Sequence, residues 1–356
     1  MTDNLMADNL RTDNPRTIAL TVEHAVEVDG IIDGESGLRI AATIFLPERA
    51  ALGERPLVFF CLPGGGLNSR YFHLDVPGAA PGAFSFAHHM AARGCITVTI
   101  DHLGIGASSI PRDGFALTPE VMVEANGRAA EQIQRALREG SLVDGWPALP
   151  GLRSVGVGHS MGGMLTTMQQ AARRTHDAIA VLGFSTRGLP EYLIPEDTEY
   201  VDNPAGARAN IVRLAQLRSM DPYPDLNTRG QAREIYGGRA DKQALEALRV
   251  ARDKVLSVMG FFSMLPGSTS DVCAQVDVPV FLAVGDRDMT GPSHALPASF
   301  SGSMDVSLLV LPDTGHTHFI FPSCAQLFQR LADWAHSATV DSGQVGGQVF
   351  AQGATA

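Results

Sequence analysis

Near the middle of the chain, the run Gly156-Val157-Gly158-His159-Ser160-Met161-Gly162-Gly163 leaves little freedom for what surrounds it. Leu152 to Val157 has the character of a short strand, and Met161 to His176 carries Met164, Leu165, Met168 and Ala172 at helical spacing. A strand that turns this sharply into a helix brings the two backbones almost into contact, and glycine at 158 and 162 removes the Cβ atoms that would collide. The serine between them is held in a strained turn at a helix N-terminus, where the partial positive charge of the helix favours a developing anion. This G-x-S-x-G arrangement has the form of a nucleophile elbow. Alone it is a weak signal, because a glycine-rich loop with a solvated serine satisfies the same pattern. The rest of the chain decides between the two.

Leu57-Val58-Phe59-Phe60-Cys61-Leu62 is a continuous apolar run of the kind a parallel strand covered on both faces requires, and Ile96 to Ile100 is a second. Further strands are expected at Ala178–Leu182, Val280–Val284 and Val306–Leu311. Helices are expected at Phe84–Arg93, from Pro119 onward, and at Cys324–Ala335. The helix at Pro119 has Thr118 as its N-cap and an apolar stripe of Ala129, Ile133 and Leu137, and it stops before Gly140. Val22–Val28 and Leu38–Leu46, joined by the turn residues Asp29 to Gly37, read as an antiparallel hairpin at a sheet edge. Strands alternating with helices imply an α/β fold with a mostly parallel, doubly wound sheet. The alternation breaks between Ser185 and Asp271, where helical patterns at Ala207–Leu217 and Lys242–Val258 replace strands. A stretch this long is an inserted, mainly helical cap rather than a loop.

The expected organisation is therefore a mobile N-terminal arm over 1–17, a core over 18–185, the cap insertion over 186–271, the second part of the core over 272–338, and a mobile tail over 339–356. The arm repeats Thr-Asp-Asn units, and the tail is rich in Gly, Gln and Ala without a period. With 45% hydrophobic residues among 356, the chain can bury one large core and a smaller subdomain. Its formal net charge of −11, with no basic cluster standing against it, disfavours a nucleic-acid partner. The four cysteines, Cys61, Cys95, Cys273 and Cys324, show no C-x-x-C spacing and read as small core residues in a reducing compartment. The start of the chain is polar and acidic, and apolar runs such as Ala178–Phe184 are too short to span a bilayer. No membrane span and a cytoplasmic location are the expectations.

Three separated segments, in order, resemble the α/β-hydrolase fold: the elbow Gly158-His159-Ser160-Met161-Gly162, the loop Pro63-Gly64-Gly65-Gly66 after an early strand, and Asp101-x-x-Gly104-x-Gly106-x-Ser108 after the next. Pro63-Gly64 stands where many members have His-Gly. The resemblance implies a catalytic triad in the order serine, acid, histidine. Ser160 would be the nucleophile. After the strand at Val280–Val284 two acids compete: Asp288, four residues before Pro292, has the family's spacing, and Asp286 would instead hold the loop or pair with Arg287. In Gly315-His316-Thr317-His318 the residue after the glycine is the family's base, so His316 is expected in that role. His318 is the second choice, or else a packed or hydrogen-bonded neighbour. The oxyanion donors implied are the N–H groups of Met161 and of Gly65 or Gly66. Leu67, Asn68, Tyr71, His159, Phe261 and Phe262 are the expected substrate-pocket residues, and His102 is a further candidate for the lining.

A serine nucleophile with these partners fits hydrolysis of a carboxylic ester or lactone of a small, largely apolar substrate through an acyl-enzyme. A carbon–carbon bond hydrolase of a ring-cleavage product and an acyltransferase share the machinery, and a ligand-binding receptor on the same fold is the non-enzyme alternative. No cofactor is implied, and no metal. His316-x-His318 lacks the Asp and His that a zinc lactonase would carry at Ile320 and Phe321. A homo-oligomer is compatible with the sequence.

Overall fold

The computed structural model describes residues 18–225 and 238–339. The expected arm over 1–17 and nearly all of the expected tail lie outside these residues. Eight strands form one sheet: β1 (Ile18–Glu27), β2 (Arg39–Pro47), β3 (Leu57–Leu62), β4 (Ile96–Ile100), β5 (Arg153–His159), β6 (Ala178–Leu182), β7 (Val280–Gly285) and β8 (Val306–Leu311). Their order is β1-β2-β4-β3-β5-β6-β7-β8. β1 pairs antiparallel with β2 and β2 antiparallel with β4, and every pairing from β4 to β8 is parallel. The hairpin therefore lies at one edge, as its alternating sequence requires, and the apolar runs fill the middle. Every residue of β3, β5 and β6 is buried.

Side chains leave a strand alternately to its two faces, and the core accordingly divides in two. Val58, Phe60 and Leu62 point into one apolar cluster with Ile133, Met164 and Leu165. Leu57, Phe59 and Cys61 point into the other with Phe86, Phe328 and Leu331. Helix α1 (Phe86–Ala91) and the closing helix (Cys324–Ala338) cover the second face, while α2 (Pro119–Glu139) and α3 (Met161–Arg173) cover the first. Thr118 caps α2 by accepting the Val121 N–H, and Gly140 closes it in a left-handed conformation. All four cysteines are buried with free thiols. No helix among the described residues is long and apolar enough to cross a membrane.

Between β6 and β7 the described chain forms helices at Pro204–Arg218, Lys242–Ala247, Ser257–Met264 and Ser270–Cys273. Pro204–Arg218 packs against Ser257–Met264, which in turn contacts α3. The helical pattern from Lys242 to Val258 is not one helix. It gives way to a tight turn at Leu248–Ala251 and an extended stretch before restarting at Ser257. The cause is tertiary: Asp253 donates its N–H to Gly66 O, and Ala251 O accepts from Asn68 N–H, so backbone groups that a helix would use internally are bonded to the core instead.

Candidate active site

The parallel strands bring their carboxyl ends to one rim of the sheet, and the chemistry-bearing segments follow those ends: the glycine loop after β3, Ser160 after β5, Asp288 after β7 and His316 after β8. At the elbow a Cβ on Gly158 would run into the carbonyl of Gly162, and one on Gly162 into the carbonyl of Leu62. Ser160 itself has φ 54° and ψ −122°, a region that costs a non-glycine residue about 1–3 kcal/mol. What the strain achieves is visible in the hydrogen bonds. A serine preceding a helix ordinarily turns its hydroxyl inward to cap the first N–H groups. Here no such cap forms, and Ser160 Oγ lies 2.8 Å from His316 Nε2. The hydroxyl faces the cavity while the helix N-terminus keeps its donors.

His316 Nδ1 lies 2.7 Å from Asp288 Oδ1. An ionised carboxylate can only accept, so Nδ1 carries the hydrogen and Nε2 presents its lone pair to the serine hydroxyl. The second carboxylate oxygen, Oδ2, takes a hydrogen bond from His318 Nε2 at 2.8 Å. Asp288 and His318 are both inaccessible to solvent. Burial opposes the charge on Asp288 more than any other single influence, but the combined pull of His316 and His318 outweighs it and holds the carboxyl well below the usual carboxylate range. Asp286 does something else. Its Oδ1 accepts the Thr314 N–H at 3.0 Å and so ties the β7 loop to the β8 loop, while Arg287 pairs with Asp313 rather than with Asp286.

Two further histidines are structural neighbours. His159 Nε2 donates to His316 O at 2.8 Å, and burial first, then the nearby His316 and His318, push its pKa well below that of an ordinary histidine. A neutral ring there fixes the backbone of His316. His102 does not line the cavity. It is fully buried, its Nε2 donating to Pro63 O at 3.0 Å at the start of the glycine loop.

Ser160 opens onto a cavity of about 660 Å³ lined by Gly65, Gly66, Leu67, His159, Met161 and His316 on the core side. Leu189, Val255, Phe261 and Met264 face it from the segment between β6 and β7. The expected lining residues Leu67, His159 and Phe261 are thus at the cavity, and three others are not. Phe262, the next residue of the same helix, is fully buried in the core and does not reach the cavity. Tyr71 lies behind the glycine loop, stacked on Phe319 with ring centroids 4.6 Å apart, its hydroxyl accepting the Phe319 N–H. Asn68 spends its side chain on the turn and on Asp253. Absent from the sequence reading are Phe184, Met289, Arg218 and Asp253, which also face the cavity and carry no motif. Among the described residues no group of three or more His, Cys, Asp or Glu side chains is arranged to hold a metal ion.

Comparison with known proteins agrees with this architecture. A thermophilic esterase from Thermogutta terrifontis superposes with a TM-score of 0.58 at 15% identity, over 89% of this chain and 100% of its own. An enol-lactonase from Burkholderia xenovorans gives 0.53 at 15%, over 84% and 97%, and an epoxide hydrolase from Vigna radiata gives 0.54 at 13%, over 89% and 98%. At these identities the likeness is one of fold. No curated protein matches the sequence significantly. The sequence model of the alpha/beta hydrolase family, however, matches residues 59–329, from within β3 into the first turns of the closing helix. With that span and this sheet order, the chain belongs to the alpha/beta hydrolase family.

Proposed function

We propose that this protein is a serine hydrolase that cleaves a carboxylic ester or lactone of a small, largely apolar substrate. The observation that carries the reading is the unbroken relay from Asp288 through His316 to Ser160, with bonds of 2.7 and 2.8 Å, ending at a hydroxyl that faces an apolar cavity. Ser160 Oγ attacks the carbonyl carbon as His316 Nε2 takes its proton. Asp288 holds the ring in the tautomer that can do this and stabilises the cation that forms. The oxyanion is received by the N–H of Met161 at the start of α3 and by Gly65 or Gly66. One such donor is typically worth about 3 kcal/mol in the transition state. His316 then returns its proton to the leaving oxygen and activates a water that releases the acid from Ser160.

The segment over 186–271 acts as the cap, its Phe261, Val255 and Met264 supplying an apolar wall above the serine. Such a wall binds the remote part of a substrate and leaves the carbonyl to the relay. A panel of p-nitrophenyl esters of graded chain length, run beside simple lactones with the wild type and Ser160→Ala, tests the reading. Saturable turnover of an ester or lactone by the wild type, lost in Ser160→Ala, is the expected result. No turnover of any ester or lactone, with cleavage of a vinylogous diketone instead, would move the protein to carbon–carbon bond hydrolysis.

A further inference from the structure

The loop that would hold the oxyanion is fastened from two sides by carboxylates. From the core, Asp101 accepts the Ser69 N–H on Oδ1 at 2.7 Å and the Ala107 N–H on Oδ2 at 2.8 Å. That fixes Ser69, which opens the turn just after the glycine loop, to the segment after β4. From the opposite side comes Asp253, a residue of the cap. Its Oδ2 accepts the Gly106 N–H at 3.0 Å and the Asn68 Nδ2 at 3.2 Å. Its own N–H donates to Gly66 O at 2.9 Å, Asn68 N–H donates to Ala251 O at 2.8 Å, and Leu67 pairs with Arg252 as a short antiparallel bridge. The inter-segment hydrogen bonds of Gly66 and Asn68 thus run to residues 250–253. Gly66 needs this support, because it sits at φ 74° in a turn closed by a single long bond from Leu67 N–H to Gly64 O at 3.2 Å. A free glycine turn populates many conformations, and an N–H that points at an oxyanion contributes only if it is already aimed there.

We propose that Asp253 is a positioning residue for the oxyanion hole: through Gly106, Asn68 and Gly66 it makes the cap part of the catalytic geometry and not only a wall of the substrate pocket. The inference rests on the serine-hydrolase reading above. The oxyanion forms only on the way to the tetrahedral intermediate, so a misaimed Gly65–Gly66 turn weakens transition-state binding and leaves ground-state binding nearly as it was.

The test is steady-state kinetics on the best ester of the panel for wild type, Asp253→Ala, Asp253→Asn, Asn68→Ala and Ser160→Ala, with thermal melting of each. Asp253→Ala is expected to lower kcat about 10- to 100-fold with KM within about threefold, less than the loss of a whole oxyanion donor because the loop is loosened and not deleted. Asp253→Asn keeps an acceptor oxygen and is expected to recover about tenfold of that loss. Asn68→Ala removes one of the two partners of Oδ2 and is expected to fall between wild type and Asp253→Ala. Three results would overturn the proposal: unchanged kcat in Asp253→Ala and Asn68→Ala, a loss confined to KM that marks Asp253 as a substrate contact, or a kcat loss that Asp253→Asn does not relieve and that tracks melting temperature. An active Ser160→Ala would instead remove the hydrolase reading itself. A dead Ser160→Ala beside a fully active Asp253→Ala refutes the positioning role alone.

Discussion

Replacing His318 separates a residue that supports the relay from one that belongs to it. In His318→Leu the carboxylate loses its 2.8 Å bond on Oδ2, while the 2.7 Å bond from His316 to Oδ1 is untouched. Hydrogen bonds to charged groups contribute about 1.5–3 kcal/mol, and an oxygen left unpaired where no solvent reaches incurs the upper part of that range. The loss falls on the folded state as a whole, so stability should drop by about 2–3 kcal/mol in urea. Turnover should fall by no more than about tenfold, since Asp288 still fixes the tautomer of His316. His316→Ala removes the proposed general base, and its kcat should lie at least about a hundredfold below that of His318→Leu. Urea melts of both variants and initial rates on a short p-nitrophenyl ester measure the two quantities. His318→Leu losing as much activity as His316→Ala, or showing wild-type stability, would refute the division of labour.

Asp288→Asn should lower kcat by about 10⁴-fold, because the amide nitrogen must face an imidazole N–H and the productive tautomer is lost. Asp286→Asn keeps the oxygen that accepts from Thr314 and should stay within a few-fold of wild type; the reverse ranking in folded variants would move the acid to Asp286. Phe261→Ala should change ester chain-length preference with little effect on an acetate ester, whereas Phe262→Ala, fully buried, should cost about 3–5 kcal/mol of stability and leave preference unchanged. His176 is buried in the core and desolvation pushes its pKa down to about 3. The unfolded chain binds that proton near 6.5 and the folded chain does not, so stability is full above that pH and is lost as pH falls below it. At pH 5 the loss from this group is about 2 kcal/mol. His176→Gln should flatten the fall in melting temperature between pH 7 and 5, and an equal fall in both proteins would count against the assignment.

The sheet was legible because its signals are local. Leu57–Leu62 and Ala178–Leu182 are continuous apolar runs, Thr118-Pro119 announces a helix start, and Gly158 and Gly162 bracket a turn that only close backbone contact explains. Chain order and the family resemblance propose Ser160, Asp288 and His316, and the fold places both Ser160 and Asp288 within hydrogen-bond distance of His316. What the sequence hides are relations between distant segments. Nothing in Arg252-Asp253-Lys254 says that the chain leaves its helical path to pair with the glycine loop, because each residue there tolerates a helix. The adjacent phenylalanines 261 and 262 look alike in sequence, and both pack in the core, but only Phe261 also reaches the cavity. His318 shows a similar limit: His-x-His leaves open whether the second ring takes part in the chemistry, and only its bond to the far oxygen of Asp288 gives it a supporting place.

Covalent capture of the serine tests the central claim most directly. The wild type, treated with a serine-directed alkyl fluorophosphonate, should gain the mass of one phosphonyl group, lose ester hydrolysis in step with that gain, and yield the modified peptide at Ser160. Folded Ser160→Ala should take up no label and show hydrolysis reduced by several orders of magnitude. Undiminished labelling of Ser160→Ala, or ester turnover by it at the wild-type rate, would contradict the account.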